Sequence, residues 1–350
     1  MTVTYHAGRR IQGTQADFDG TPAVSGGWKE VARTTLGSSN SEINVSSIPD
    51  KRYYMVLTHI LDSGQEEVRY RLGSSGSIDT GSSYTFRRWG DGSESTSYST
   101  SSLLMTTDQA DDDKFHVAYI SNLSGKEKLT QHFYAERGDN FAASNTPRSG
   151  YGVGKWTGTD PLDTLRVYGN QSGSYSSGSE VVVLGWDPDD THTDNFFEQL
   201  ASVEGDGTST TISSGTITAK KYLWVQAFTN ASSQNTGFQF NNDTTNNYAI
   251  RRSTNGGSET PETSIGYIEG SDTSKAFTNM FIINNSASAK LTLGHSVHNP
   301  TAGAGTAPTR NEVVGKWANN SAQITEIDYM QQTTSVNFPS GSFIKVWGSN

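Results

Sequence analysis

The sequence predicts an all-β protein made of two tandem antiparallel β-sandwiches, jelly-roll-like in class and preceded by an extended N-terminal arm. Three observations predict this fold: short segments rich in β-branched and aromatic residues, turn clusters between them, and a chain that repeats itself. We place the arm at 1–27, the first sandwich at 28–187, an acidic linker at 188–196 and the second sandwich at 197–350.

The repeat is visible as motifs that return in the same order. Val-Gly-Lys-Trp at 153–156 returns at 314–317, and the segment that ends in Arg-Arg at 84–88 returns at 248–252. The spacing between matches drifts slightly, as changes in loop length would cause. Because the period is far longer than that of a solenoid, each copy is expected to bury a core of its own.

The first 27 residues have no counterpart in the second copy. They contain Gly-Arg-Arg-Ile-Gln-Gly at 8–13 and a stretch rich in Gly, Pro and Ser that ends at Gly27, which we interpret as the arm. The acidic linker that follows Asp187 is too short for a flexible tether. The two sandwiches are therefore expected to lie close together.

Strand signals occur throughout both copies, and helix signals are nearly absent. Val68, Tyr70 and Leu72 alternate with charged residues, which is typical of a strand with one solvated face. Further segments of high β-propensity lie at 53–59, 116–120, 180–184, 238–240, 280–283 and 343–347.

Composition disfavours several classes of partner and location. The net charge of −10 and the pI of about 5.2 disfavour nucleic acid and anionic membrane surfaces. The absence of cysteine excludes a disulfide framework and thiolate chemistry. No segment has the length and apolarity of a transmembrane helix, and the N-terminus lacks the apolar run of a signal peptide. We therefore expect synthesis in a cytoplasm and no membrane insertion.

Motifs that could carry catalysis or metal binding are weak. Gly154-Lys155 and Gly315-Lys316 differ from a phosphate loop because tryptophan replaces the Ser or Thr after the lysine. The histidines show no metal-ligand spacing, and no Gly-x-Ser-x-Gly elbow is present. The acidic stretches at 108–113 and 187–194 lack the EF-hand pattern, so solvated loops are favoured over calcium sites. The sequence predicts no enzyme, no metal and no cofactor.

Most of the seven tryptophans align with an aromatic or apolar residue in the other copy, which favours a role in the core. We assign Trp156, Trp317, Trp224 and Trp347 to the structural core.

Trp89 is different, because it aligns with Ser253. It is the candidate for an exposed contact with glycan or a neighbouring subunit, although a loop tryptophan folded onto its own sandwich fits equally well. Arg88, its counterpart Arg252, and the Asn-rich loop 241–247 around Thr245 are further candidates. For the arginines a structural salt bridge is favoured, with subunit contact as the alternative.

The arm segment at 5–13, the segment at 51–56, the two Val-Gly-Lys-Trp motifs and the endings at 184–187 and 346–348 together resemble a family of virion structural proteins. These proteins are encoded by tailed viruses of marine bacteria and by related uncultured viruses. The resemblance implies a capsid-decorating, tail or fibre component that docks through Arg9, Arg10, Ile11 and Gln12. It carries over no catalytic residue.

This resemblance leads to expectations about partners. We expect a non-enzymatic protein of the virion, made in the host cytoplasm, that associates with copies of itself and with other virion proteins. A closed homo-oligomer is expected, with a trimer by analogy to phage appendages. The alternatives are a module that binds host-surface glycan, a polysaccharide-degrading enzyme and a cellular surface-layer protein.

Overall fold

The computed structural model describes residues 4–5, 11–12, 27–61, 67–90, 92–106, 112–169, 173–231, 234–271, 274–299, 301, 303–332 and 336–350. In these ranges every regular element is a β-strand, and the strands pair in antiparallel sheets. This confirms the predicted all-β class. No helix with the length and apolar character needed to cross a lipid bilayer occurs in these ranges.

Two short strands lie within the predicted arm, β1 (Thr4–Tyr5) and β2 (Ile11–Gln12), and they pair with each other. Arg9 and Arg10 lie outside the described residues. The first copy then contributes thirteen described strands: β3 (Lys29–Thr35), β4 (Glu42–Val45), β5 (Tyr53–Ile60), β6 (Val68–Ser74), β7 (Ser77–Ile78), β8 (Tyr84–Gly90), β9 (Ser93–Thr100), β10 (Leu103–Thr106), β11 (Lys114–Ser121), β12 (Lys128–Glu136), β13 (Arg148–Trp156), β14 (Thr164–Tyr168) and β15 (Glu180–Trp186).

The second copy contributes twelve strands in its described part. They are β16 (Glu198–Glu204), β17 (Thr211–Ser213), β18 (Tyr222–Thr229), β19 (Thr236–Phe240), β20 (Tyr248–Thr254), β21 (Thr260–Ile265), β22 (Ile268–Ser271), β23 (Lys275–Ile283), β24 (Lys290–Asn299), β25 (Thr309–Trp317), β26 (Ile327–Gln331) and β27 (Phe343–Ser349).

The strand orders of the two copies correspond one to one. The first copy has an eight-stranded sheet in the order β3-β15-β5-β11-β12-β13-β8-β9, and the second has β16-β27-β18-β23-β24-β25-β20-β21. Each copy adds a smaller sheet, β10-β6-β14-β4 with β7 beside β6, and β22-β19-β26-β17. The repeat that is visible in the sequence is therefore also a repeat of strand order.

Three apolar cores hold these sheets together. In each copy the inner face of the eight-stranded sheet and the smaller sheet share one core. A third core lies between the outer faces of the two eight-stranded sheets, where it includes Leu57 and Phe115 of the first copy and Leu291 and Phe281 of the second. The sheets therefore form four layers, and the two central layers are apolar on both faces.

Because both faces of each eight-stranded sheet are covered by protein, central strands of these sheets can carry continuous apolar residues. At 181–184, Val-Val-Val-Leu in β15 is fully buried because Val181 and Val183 join the first copy's core while Val182 and Leu184 join the core between copies. In β6 of the smaller sheet, apolar residues are buried and the alternate arginines are half-buried, as the sequence pattern predicts.

On the inner faces of the two large sheets, a large residue on one strand faces glycine on the next strand, and the strand that carries the glycine differs between the copies. In the first copy Gly152 lies opposite His132, and a Cβ atom on Gly152 would lie 2.5 Å from the imidazole Cε1. In the second copy the equivalent positions are Val313 opposite Gly294. Nearer the hairpin, Tyr134 opposite Gly150 is likewise replaced by Ser296 opposite Asn311. Each copy therefore preserves its inner volume by a different pair of residues.

The four tryptophans assigned to the core occupy two different environments. Trp156 and Trp317 are buried in their own copies, and each indole N–H donates to a carboxylate, of Asp79 and Asp243 respectively, at 2.8 Å. Trp224 and Trp347 are half-buried on the outer face of the second eight-stranded sheet, with ring centroids 5.0 Å apart.

The acidic linker folds back on the first copy. Lys51 Nζ lies 2.5 Å from Asp190 and 3.5 Å from Asp187, and Lys29 lies 2.8 Å from Asp194. Since lysines neutralise these carboxylates, the structure favours ion pairing over a calcium site here. In the described part of the chain no group of three or more His, Cys, Asp or Glu side chains could hold a metal ion.

Candidate functional site

An open cleft of about 760 Å³ lies on the outer face of the first eight-stranded sheet. Strands β5, β8, β9, β11, β12, β13 and β15 supply its walls and floor. The residues whose side chains define the cleft are Trp28, Tyr53, Thr85, Arg87, Thr96, Tyr98, Tyr119, Ser121, Leu129, Gln131, Val153, Lys155 and Trp186.

One wall of the cleft is a cluster of aromatic rings. Trp186 stacks on Tyr53 with ring centroids 5.5 Å apart, and Trp28 packs against Trp186 at 6.2 Å and against Tyr119 at 6.3 Å. Tyr98 on β9 also lines the cleft and is highly exposed. This arrangement presents ring faces and edges to whatever enters the cleft.

The floor of the cleft is apolar, and two cations lie among its lining residues. Strand alternation turns Leu129 and Val153 outward, and both are exposed. Arg87 pairs with Glu94, and Lys155 lies 3.1 Å from Glu127. The exposed rings and apolar side chains of the cleft can bind apolar or planar groups.

The same face of the second copy is covered by the first copy. Leu129 is 57 % exposed, whereas Leu291 at the equivalent position is 0 % exposed. Val314 and Lys316, which correspond to Val153 and Lys155, are buried as well. The second copy therefore has the same apolar face, but it serves as a protein–protein interface.

Specific polar contacts fix this internal interface. Glu180 of the first copy is 3 % exposed and accepts hydrogen bonds from Tyr222 Oη at 2.5 Å and Lys221 Nζ at 2.8 Å. Burial alone would raise the pKa of Glu180, but the charge of Lys221 and the hydrogen bonds from Lys221, Tyr222 and Thr35 lower it to about 2. The carboxylate is therefore ionised inside the interface.

Further hydrogen bonds tie the second copy to the hairpin between β12 and β13. Lys316 Nζ donates to the carbonyl of Asn140 at 2.9 Å, and burial lowers the pKa of Lys316 to about 8. Arg251 Nε donates to the carbonyl of Pro147 at 2.9 Å. The cations that correspond to the cleft's Lys155 and Arg87 are thus used for contact between copies.

Equivalent positions meet at the centre of the interface, where the ring centroids of Phe133 and His295 lie 4.5 Å apart, but the ends of the interface are unequal. The first copy contributes Phe115 and Glu180, and the second contributes Tyr222, whose ring lies 6.3 Å from that of Phe115. The position equivalent to Tyr222 in the first copy is Tyr53, which lines the open cleft instead. The two ends of the contact therefore differ, although its centre is nearly symmetric.

Trp89 and Arg88 lie next to each other on β8 in different environments. Trp89 is half-buried and lines a groove together with Arg251 and Glu259 of the second copy. Arg88 is buried inside the first copy while Arg87 is exposed, as strand alternation predicts.

Of the other residues that the sequence predicts to make contacts, Arg252 and Thr245 lie in the second copy, and Ile11 and Gln12 lie in the arm. Arg252 Nη1 donates to both carboxylate oxygens of Glu269 at 2.6 and 2.7 Å, the carboxylate pairing favoured for these arginines. Thr245 is exposed, and its backbone N–H donates to Asp243 at 3.0 Å. Ile11 and Gln12 form β2. The predicted contacts whose side chains the structure describes do not lie together at one site.

Sequence reasoning missed the cleft. The alignment of Trp28 with Phe197 predicts a core residue, and Leu129 lies in a motif that is identical in both copies. A usable signal is that Leu129 and Val153 are apolar residues at outward positions of their strands, where a solvated face would carry polar side chains. This signal indicates a covered sheet face without indicating what covers it.

Comparisons with known proteins give no assignment. No protein-family profile and no curated protein matches the sequence. Among solved structures, Ail, the attachment invasion locus protein of Yersinia pestis, shares 7% identity over 80% of this chain and 98% of its own, with a TM-score of 0.13. A pair of C2 domains from Extended-Synaptotagmin 2 shares 8% identity over 81% of this chain and 94% of its own, with a TM-score of 0.12. Similarity at this level carries no argument about fold or function.

Proposed function

We propose that the chain is a non-enzymatic structural protein of a virus particle, a capsid-decorating, tail or fibre component that associates with copies of itself. In this proposal each copy is a jelly-roll-like sandwich, and the N-terminal arm docks on the particle. The virion assignment rests on the resemblance of the sequence motifs described above.

One observation carries the proposal of self-association. One part of the apolar outer sheet face is covered by protein in the second copy and open in the first, with Leu291 buried and Leu129 exposed. Monomeric soluble proteins rarely leave a large contiguous apolar face in water, and such faces usually mark interaction sites. The internal interface provides direct precedent that this face packs against a sheet of the same kind.

Two measurements test this function. Sedimentation of the purified full chain over a range of concentrations should show reversible association, whereas a monomer at every concentration would contradict self-association. Mass spectrometry of purified source particles should detect the chain, and hundreds of copies would indicate the capsid or tail tube. A few tens of copies would indicate a fibre, baseplate or vertex, and absence from particles would contradict the virion assignment.

Removal of residues 1–27 tests the docking role of the arm. We expect the shortened chain to unfold at the same temperature as the full chain, because the described core residues all come from position 28 onward. It should fail to join particles in an incorporation assay. A large fall in the unfolding temperature would show instead that the segment belongs to the first copy's fold.

Glycan binding is a second candidate function, and the aromatic wall of the cleft favours it. Sugar rings pack on exposed aromatic faces, and Tyr98, Tyr53 and Trp186 line the cleft together with the polar side chains of Gln131 and Thr96. This function would use the same cleft as self-association, so saturating glycan would dissociate an oligomer built on the cleft.

A glycan array with two matched variants distinguishes the possible sites. If the cleft binds glycan, Tyr98→Ala should lower the affinity about tenfold, because it removes one exposed stacking partner. Trp89→Ala should leave the affinity unchanged, since Trp89 lies outside the cleft. The reverse pattern would place the glycan at Trp89, and no binding by the wild type would remove this function.

A further inference from the structure

Exposed apolar side chains are concentrated on two surfaces, one on each eight-stranded sheet. Five of the seven large apolar side chains that are exposed in the described ranges belong to these surfaces. Tyr98, Leu129 and Val153 line the cleft of the first copy. The other surface lies on the outer face of the second copy's sheet, and we call it the phenylalanine patch. It consists of Phe228, Phe277, Val297 and Phe343.

The phenylalanine patch is the second copy's version of the surface with which the first copy covers its neighbour. Strand register makes Phe277 equivalent to Phe115 and Val297 equivalent to Ala135, and both of these first-copy residues are buried in the core between the copies. Conversely, the cleft of the first copy is equivalent to the half of the second sheet that is covered. Each copy therefore has one covered half and one open half on this face, and the open halves are opposite ones.

The near symmetry at the centre of the interface places the two open halves opposite each other. Phe133 and its equivalent His295 pack with ring centroids 4.5 Å apart, and a small pocket beside them is lined by equivalent residues of β11 and β23. In a twofold contact, a pair of residues at one end has its counterpart at the other end. The contact of Phe115 with Tyr222 thus has the phenylalanine patch opposite the cleft as its counterpart. The two surfaces are the walls of one gap.

The gap is a wedge that widens away from the centre of the interface. Phe115 packs on Tyr222 at the covered end, with ring centroids 6.3 Å apart and both rings buried. The counterparts Phe277 and Tyr53 are the same residue types, yet Phe277 is 36 % exposed. Smaller side chains therefore do not account for the exposure, and the two sheets must lie farther apart at this end.

We propose that this wedge binds a glycan chain between the two copies, with one face of a sugar ring on the aromatic wall of the cleft and the other face on the phenylalanine patch. The inference rests on the glycan-binding function considered above, and it adds a second wall and a class of glycan. At the depth where the walls are one ring thickness apart, both faces of the ring are removed from water. The ring is held on both sides only if both of its faces are apolar.

That requirement selects the stereochemistry of the sugar. In a pyranose ring whose substituents are all equatorial, the hydroxyls lie near the ring plane and axial C–H bonds cover both faces. A β-linked chain of such rings is a flat ribbon with two apolar faces, which fits the wedge. An axial hydroxyl would point at an aromatic wall and lose its hydrogen bonds to water without replacement. The wedge therefore selects all-equatorial, β-linked glycans over epimers with an axial hydroxyl.

The polar edges of the ribbon meet polar side chains. Those of the cleft are Arg87, Thr96, Gln131 and Lys155. The two cations are held by exposed carboxylates, and exposed ion pairs contribute little, so their N–H groups exchange a carboxylate for a sugar hydroxyl at small cost. On the other wall the Lys345 ammonium lies 5.3 Å from the Phe343 ring centroid and adds a donor next to the patch.

Calorimetric titration of the full chain with two matched hexasaccharides tests the class of glycan. One is a β-linked glucose chain, and the other is the corresponding β-linked mannose chain, which differs only by an axial hydroxyl on each ring. The glucose chain should bind at least about tenfold more tightly, because a buried hydroxyl without a partner costs about that factor or more. Equal affinities would overturn the selection of all-equatorial rings.

Substitutions on the two walls test whether both copies hold the glycan. Phe277→Ala removes a ring from the phenylalanine patch and should weaken binding about tenfold, as Tyr98→Ala does on the cleft. Val297→Ser alters the same wall and replaces Phe277→Ala if that variant unfolds at a lower temperature than the wild type. Leu123→Ala is the matched control, since Leu123 is exposed outside both walls, and it should bind like the wild type.

The outcomes separate this inference from the function on which it rests. Weaker binding in variants of both walls, with unchanged unfolding temperatures and a preference for the glucose chain, supports the wedge. Weaker binding in Tyr98→Ala alone would mean that the cleft binds glycan without the second copy, which overturns the inference and leaves glycan binding standing. A wild type that binds no glycan would overturn both.

Discussion

Glu180→Ala is expected to lower the free energy of unfolding by about 3–5 kcal/mol, one of the two largest effects that we predict. The substitution leaves the ammonium of Lys221 and the hydroxyl of Tyr222 inside the interface between copies without their acceptor. Because the contact joins the copies, the two halves should also unfold less cooperatively. Denaturant unfolding followed by tryptophan fluorescence measures both effects.

Glu198→Ala is the matched control for this measurement. Lys220 lies 2.5 Å from Glu198, as close as in a buried pair, but the Glu198 side chain is 58 % exposed. Exposed ion pairs contribute at most about 1 kcal/mol, so the control should change stability little. Equal effects of the two substitutions would show that Glu180 stabilises no more than a surface pair does.

Acidification is the second large effect, and it should destabilise the fold between about pH 6.5 and 4. Burial lowers the pKa of His59 to about 3 and those of His132 and His295 to about 4, and it lowers the pKa of His116 well below its usual value. The unfolded chain therefore binds protons in this window while the folded chain does not. Stability is present above the unfolded pKa and falls with pH, by up to about 1.4 kcal/mol per unit for each histidine.

His116→Phe isolates one of these contributions. The His116 ring stacks on Tyr134 at 5.5 Å, and neither ring nitrogen has a hydrogen-bond partner among the described residues. Besides its burial, the neighbouring His132 and Lys114 disfavour a positive charge on this ring. Phenylalanine should keep the packing and reduce the slope of stability against pH by about 1.4 kcal/mol per unit. Urea titrations at several pH values measure the slope, and an unchanged slope would mean that His116 is protonated in the fold.

The sequence predicts most of the strand content because the signals are local. Alternation in β6 and the turn clusters depend on residues within a few positions. The Val-Gly-Lys-Trp repeats fall at equivalent ends of β13 and β25, and both tryptophans are buried as their size favours. These features can be predicted without knowing which distant residues pack against them.

The cleft could not be predicted, because the same local sequence occurs in two different environments. Lys-Leu-Thr occurs at 128–130 and at 290–292, yet Leu129 is exposed and Leu291 is buried. Only the packing of one sheet on the other decides between these outcomes. The arginine pairs show the same limitation, since Arg87 faces solvent while Arg251 contacts the other copy.

The exchanged residue sizes on the inner faces also constrain how the gene can change. Unequal crossing-over between the two repeats would create hybrids that join β12 of one copy to β25 of the other. Such a hybrid would place His132 opposite Val313, or Gly294 opposite Gly152, so one product would be overpacked and the reciprocal product would contain a void. Exchanges whose junction falls between these two strands should therefore be selected against, whereas an exchange that carries both strands together keeps a matched pair.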